Sequence, residues 1–105
     1  MGVSSPTSVT LADLRAAGYP LVQVVERWNP YARVRQDLFG VVDVLAVGQD
    51  IVALQATSGS NVSARVRKLT DSPALPILRK AGIRVLVHGW RKVRGRWQLR
   101  EVELS

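Results

Sequence analysis

Apolar residues run along this chain in short blocks separated by Gly, Pro, Ser and Asp. Leu21-Val-Gln-Val-Val25 is rich in β-branched residues and too short for a stable helix, which predicts a first strand over Leu21–Glu26. Val41–Val47 and Ile51–Thr57 are predicted as strands two and three, joined by Gly48-Gln49-Asp50, a common hairpin length. Ile83–Trp90 is predicted as strand four, alternating Ile83, Val85 and Val87 against Arg84, Leu86 and His88. Arg94-Gly95 suits a two-residue turn, so Arg96–Leu104 pairs back as strand five.

Helical spacing occurs in three places. Thr10 can cap a first helix, with Asp13 three residues on, Leu11 and Leu14 facing the core and Gly18 as the stop. Residues 1–9, Ser-rich and containing Pro6, read as a flexible arm ahead of a single domain over residues 10–105. Asn61 can cap a helix to about Thr70 with Val62, Val66 and Leu69 on its apolar stripe. Ala74–Lys80 follows as a short helix, with Pro76 near its start and Gly82 after its end. Arg27–Gln36 has no clear period; Asn29-Pro30 marks a turn there. The order is helix, three strands, helices and two strands. It predicts an α/β fold whose mixed sheet is flanked by helices, with strands three and four parallel and the last strand antiparallel.

Polar residues interrupt two of the apolar blocks. Pairing Val47 with Ile51 sets Asp43 opposite Gln55, with Thr57 on the same face. A charge in a dry strand needs a partner, a metal or solvent. For Asp43 the plainer partner is a backbone N–H, Arg33 or Arg35, while Gln55 and Thr57 read equally as hydrogen-bonding residues at a strand end. His88, the one histidine, falls opposite Glu101 and reads as a structural pair; a zinc site is excluded in practice. Trp90 and Trp97 can pack across the last hairpin. Trp28, Tyr31 and Phe39 can stack on bases if exposed, although Phe39 reads better as packed under a loop.

Composition narrows the partners. The 105 residues are 47% apolar and 22% charged, as in a globular chain. Cys is absent, which rules out disulfides and thiolate metal sites. No apolar run approaches the ~20 residues of a membrane helix, and the N-terminus lacks the basic and apolar segments of a signal peptide, so the expectation is a cytoplasmic protein with no membrane partner. The net charge is +7, with twelve arginines among fifteen basic residues, which favours a polyanionic partner. Arg27, Arg33 and Arg35 around Trp28 and Tyr31, and Arg65, Arg67 and Lys68 on a helix behind Ser60 and Asn61, are the candidate phosphate contacts. The helix cations read equally as a solvated face. Walker, dinucleotide-binding and Ser/His/Asp motifs are absent.

The helix–strand–strand–strand–helix–strand order, with Asp43 in strand two and Gln55-Ala56-Thr57 in strand three, resembles the PD-(D/E)XK nuclease superfamily. The string from Glu26-Arg-Trp-Asn-Pro-Tyr-Ala-Arg to Thr57-Ser-Gly-Ser-Asn-Val-Ser is similar to small phage-type proteins of that group, the Holliday-junction-resolvase-like and VRR-NUC-like nucleases. The resemblance spans residues 10–90. It implies a restriction-endonuclease-like αβββαβ core and a Mg²⁺- or Mn²⁺-dependent DNA endonuclease, resolvase-like on branched or structured DNA and acting as a homodimer. It also implies that Asp43, Gln55 and the main-chain carbonyl of Ala56 hold the metal. Thr57 stands where the family has a catalytic Lys, and a hydroxyl cannot supply that positive charge. Lys68 or Arg65 could supply it from the following helix, and Glu26 or Asp37 could add the second carboxylate that Mg²⁺ prefers. The alternative is a nucleic-acid-binding module of the same fold that has lost cleavage.

Overall fold

Ser5, not Thr10, starts the first helix. The structure is a computed structural model that describes residues 5–104. Helix α1 spans Pro6–Ala16. The Ser8 N–H donates to Ser5 Oγ at 3.2 Å and the Ser5 N–H to Ser8 Oγ at 2.8 Å, with Pro6 in the first turn. Two reciprocal bonds and a proline preset for helix outweigh a single Thr cap. The predicted arm therefore gives way to helix from Pro6 onward; residues 1–4 of it lie outside the described residues.

Thr10 is thereby moved to a buried position inside the helix. Its Oγ1 accepts from Trp90 Nε1 at 2.7 Å and lies 3.2 Å from His88 Nδ1. His88 Nε2 meets Glu101 at 2.8 Å, as its register position predicts. This polar chain ties α1 to the sheet through a dry layer. Thr10→Val should strand two buried nitrogens and cost about 2–3 kcal/mol, read as a lower midpoint in chemical denaturation with unchanged slope.

The strands are β1 (Leu21–Val24), β2 (Arg27–Asn29), β3 (Val34–Gln36), β4 (Val44–Val47), β5 (Ile51–Ser58), β6 (Arg84–Val93) and β7 (Arg96–Glu103). Five form one mixed sheet in the order β1-β4-β5-β6-β7, with β5 and β6 parallel and the other pairs antiparallel. The parallel pair is joined through helices α2 (Val62–Thr70) and α3 (Ala74–Lys80). On one face Leu14 of α1 packs on Val44, Ala46, Val52, Leu54 and Leu86. On the other, Val62, Leu69, Leu75 and Leu78 of α2 and α3 pack on Ala53, Val85 and Val87. Central β5 is apolar on both sides, which explains its near-continuous hydrophobic run. No helix among the described residues is long and apolar enough to cross a membrane.

Two departures from the predicted elements shape the site. Arg27–Gln36 forms a separate hairpin, β2 with β3, whose three-residue strands are too short to show a period. Asn29 Oδ1 accepts from the N–H groups of Tyr31 and Ala32 and closes its tip. Strand β4 starts at Val44 rather than Val41, because Leu38–Val41 closes a tight turn. Its central residues, Phe39 and Gly40, both have positive φ (56° and 77°), as in a type I′ turn. Phe39 stands out from that turn at 66% exposure, contrary to the packing expected of it.

Candidate functional site

The hairpin register is the predicted one: Val47 pairs with Ile51 and the ladder runs to Val44–Leu54. Leu45 and Ala53 join the core on the α2/α3 side, so Asp43 and Gln55, two residues further along each strand, share that face. The ladder stops one residue short of Asp43, and the Asp43 carboxylate takes the place of the missing strand. It accepts the Ala56 N–H at 3.1 and 3.3 Å. The plain reading of a backbone partner is thus correct for Asp43, and neither Arg33 nor Arg35 bonds to it.

Asp43 does not stand alone. Glu26 follows β1, Asp37 follows β3 and Asp43 precedes β4, and one carboxylate oxygen from each lies within 4.8 Å of the others. Both carboxylates left open as alternatives, Glu26 and Asp37, therefore join Asp43. Asp43 is only 8% exposed. Burial, followed by the charges of Asp37 and Glu26, pushes its carboxyl up to about 7, against the opposing pull of the Ala56 N–H and Arg65. Three acids held this close repel one another unless a proton or cation is shared between them.

Cations surround the acids. Lys68 Nζ lies 3.4 Å from Asp37 and Arg35 Nη1 lies 3.2 Å from Glu26. Arg65 Nη1 donates to Gln55 Oε1 at 3.3 Å. Above the acids opens a cleft of about 590 Å³, lined by Glu26, Arg35, Gln36, Asp37, Gly40, Arg65 and Lys68. Asp43 and Gln55 lie beneath this lining.

Gln55 departs from its predicted role. It is 1% exposed, and its Nε2 donates to Val41 O at 2.6 Å and to Asp37 at 3.2 Å. Reversing the amide would set oxygen against oxygen and nitrogen against guanidinium, so the orientation is fixed. With Oε1 held by Arg65, Gln55 is a brace for Asp37 and Arg65 instead of a metal ligand. Ala56 reaches the site through its N–H, a donor, not through the carbonyl expected to ligate. Thr57 is buried on the same face beside Gly89 of β6, and no hydrogen bond links its hydroxyl to the acids.

The remaining predicted contacts divide among three places. Arg27, Trp28, Tyr31 and Arg33 stand on the β2–β3 hairpin, with Trp28 57% and Tyr31 97% exposed; of that hairpin's arginines only Arg35 lines the cleft. Ser60 lines a different groove, and Asn61 and Arg67 are exposed without reaching the acids. The hairpin's role in the site was hidden from sequence: its two feet are Glu26 and Asp37, eleven positions apart in the chain and brought together only by strand pairing.

Three hard oxygen donors of this kind suit Mg²⁺ or Mn²⁺ and not a soft metal. The donor set therefore fits the metal that the resemblance implies, with Glu26, Asp37 and Asp43 in place of Asp43, Gln55 and Ala56. Compared with known proteins, the chain matches no family model, no curated protein and no solved structure.

Proposed function

We propose that this chain is a Mg²⁺- or Mn²⁺-dependent DNA endonuclease built on a restriction-endonuclease-like core. The observation that carries the reading is the meeting of Glu26, Asp37 and Asp43 at the floor of a cleft rimmed by Arg35, Arg65 and Lys68. The order α1, three antiparallel-paired strands, α2 and a parallel β6 supports the same core.

A divalent ion held there supplies charge to a phosphodiester oxygen and acidity to a bound water. The chain's own part is electrostatic and positional. Lys68 and Arg65 place positive charge at the rim, where Thr57 offers none, and so stand in for the family lysine. Gln55 holds Asp37 and Arg65 at a set spacing through three hydrogen bonds. The exposed Trp28 and Tyr31, carried on a hairpin whose feet are Glu26 and Asp37, suit unpaired bases, in keeping with branched or structured DNA. Cutting two strands calls for two centres, so a homodimer belongs to the proposal. Trp90 of the last hairpin is buried against Thr10 inside the chain and takes no part in such an interface.

The alternative, a binding module without cleavage, is favoured by the sealed Gln55 and by Thr57. One assay separates the two. Linear, single-stranded and four-way-junction DNA are incubated with Mg²⁺ or Mn²⁺ and with wild type, Asp37→Asn or Lys68→Ala. Metal-dependent cleavage reduced at least 100-fold in Asp37→Asn, and reduced in Lys68→Ala with metal binding intact, is the expected result. Salt-sensitive DNA binding with no cleavage of any substrate in either metal would establish the binding module instead.

A further inference from the structure

Charge is segregated along the β6–β7 hairpin. At its base, Arg84 bonds Glu103 at 2.9 Å and Asp50 at 3.1 Å, and His88 meets Glu101. Strand β5 ends at Ser58, opposite Trp90, while β6 and β7 run on together through Arg91–Gln98, Lys92–Trp97 and Val93–Arg96. The result is a two-stranded ribbon that overhangs the sheet. The ribbon and the second register pair below it, Gly89–Arg100, carry Arg91, Lys92, Arg94, Arg96 and Arg100, all exposed. Among the described residues none of these five has an acidic partner within 4.0 Å.

The arrangement of these cations is ordered. Gly89 pairs with Arg100, Arg91 with Gln98 and Val93 with Arg96, so Arg91, Arg96 and Arg100 share one face. Arg96 and Arg100 lie about 13 Å apart along the strand, about four base-pair rises along the axis of B-DNA. That face is continuous with a groove of about 830 Å³ in which Ser58 and Ser60 supply hydroxyls beside Arg91 and Arg100. The groove is lined by the Ser58–Ser60 turn ahead of α2 and shares no residue with the acidic cleft, which Arg65 and Lys68 line. The tip, Arg94-Gly95, has no apolar side chain to enter a lipid surface.

We propose that this ribbon is a second, metal-independent DNA contact, which holds the sugar-phosphate backbone through Arg91, Arg96 and Arg100, with Arg94 at its tip. The inference rests on the reading of the chain as a DNA-binding protein, but not on cleavage. Arginine is suited to the task because its planar donors match phosphate oxygens. The contact reads backbone charge alone, so it is indifferent to base sequence.

The test is fluorescence anisotropy with a labelled 20-base-pair duplex in EDTA, between 50 and 200 mM KCl. Arg91→Gln/Arg96→Gln/Arg100→Gln is expected to weaken binding at least 10-fold at 100 mM. It should also flatten the plot of log K against log salt by about 0.9 for each lost phosphate contact. Arg94→Asn, which suits the positive φ of that turn position, should flatten it by up to about 0.9 without altering the circular dichroism spectrum. Affinity and slope equal to wild type in the triple variant, while Arg27→Gln/Arg33→Gln loses binding, would overturn the ribbon and leave the DNA reading standing. No binding by wild type at 50 mM KCl would overturn both. Equal affinity for anionic phospholipid vesicles would reassign the ribbon to a membrane surface.

Discussion

Asp43→Asn is expected to stabilise the metal-free protein at pH 8 by about 4 kcal/mol, and to leave its stability at pH 4 nearly unchanged. The sign follows from the raised pKa. Burial raises the Asp43 carboxyl to about 7 in the folded chain, against the ordinary 3.8 of the unfolded one. Between those values the folded state keeps a proton that the unfolded state has released. The stability that Asp43 contributes is complete below about 4 and is lost as pH rises through about 7. Above 7 the carboxylate is charged in a buried position beside Asp37 and Glu26, with the Ala56 N–H as its hydrogen bond. Asparagine keeps an oxygen for that N–H and turns an amide toward the acids, so it resembles the protonated form at every pH.

The same substitution separates a metal role from a purely structural one. A divalent cation competes with the proton for Asp43. In wild type, Mn²⁺ should therefore raise the melting temperature, and more so at pH 8 than at pH 6. In Asp43→Asn that response should largely vanish. Urea denaturation and thermal melts at pH 4.5, 6 and 8, with EDTA or MnCl₂, give both answers. Wild type and variant curves that stay parallel across pH would show that Asp43 is not the group that couples charge to stability. An equal Mn²⁺ response in both would remove it from the metal site.

Gly89→Ala is expected to cost about 3 kcal/mol although the position is a strand interior, where Ala usually improves on Gly. The reason is a single approach. A Cβ at position 89 would lie 2.1 Å from Val62 Cγ2 and 3.2 Å from the Gly59 backbone. Val62 opens α2 and is 1% exposed, so it has no room to turn away. The first turn of α2 must shift, and with it Arg65 and Lys68 at the rim of the acidic cleft. Val62→Ala alone should cost about 2–3 kcal/mol through its cavity. Combined with Gly89→Ala it should cost at least about 1 kcal/mol less than the sum. Strict additivity in that cycle would place the strain elsewhere.

The site also shows how local readings combine with non-local ones. Asp43 opposite Gln55 was legible because a three-residue link and the pairing of Val47 with Ile51 leave one register, and side chains alternate with period two. His88 opposite Glu101 was legible for the same reason, through the Arg94-Gly95 turn. What Gln55 does was not legible. Its partners, Val41 O, Asp37 and Arg65, sit on a turn, a strand exit and a helix, and the choice between brace and ligand depends on all three arriving together. The overhang of β6 beyond β5 was equally hidden, since it is a difference between two strand lengths that no single segment contains.

Local periodicity was enough for the five principal strands, the two helices after β5, the parallel β5–β6 step and the face that Asp43 presents. Each of these depends on residues a few positions apart, where sterics and hydrophobic spacing act on their own. Packing decided the rest: a helix that swallows Thr10 to satisfy Trp90 and His88, a hairpin that brings Glu26 to Asp37, and a glycine that lets α2 touch the sheet. These join residues up to 80 positions apart, and their energies, desolvation and charge repulsion above all, exist only once the chain has closed around them.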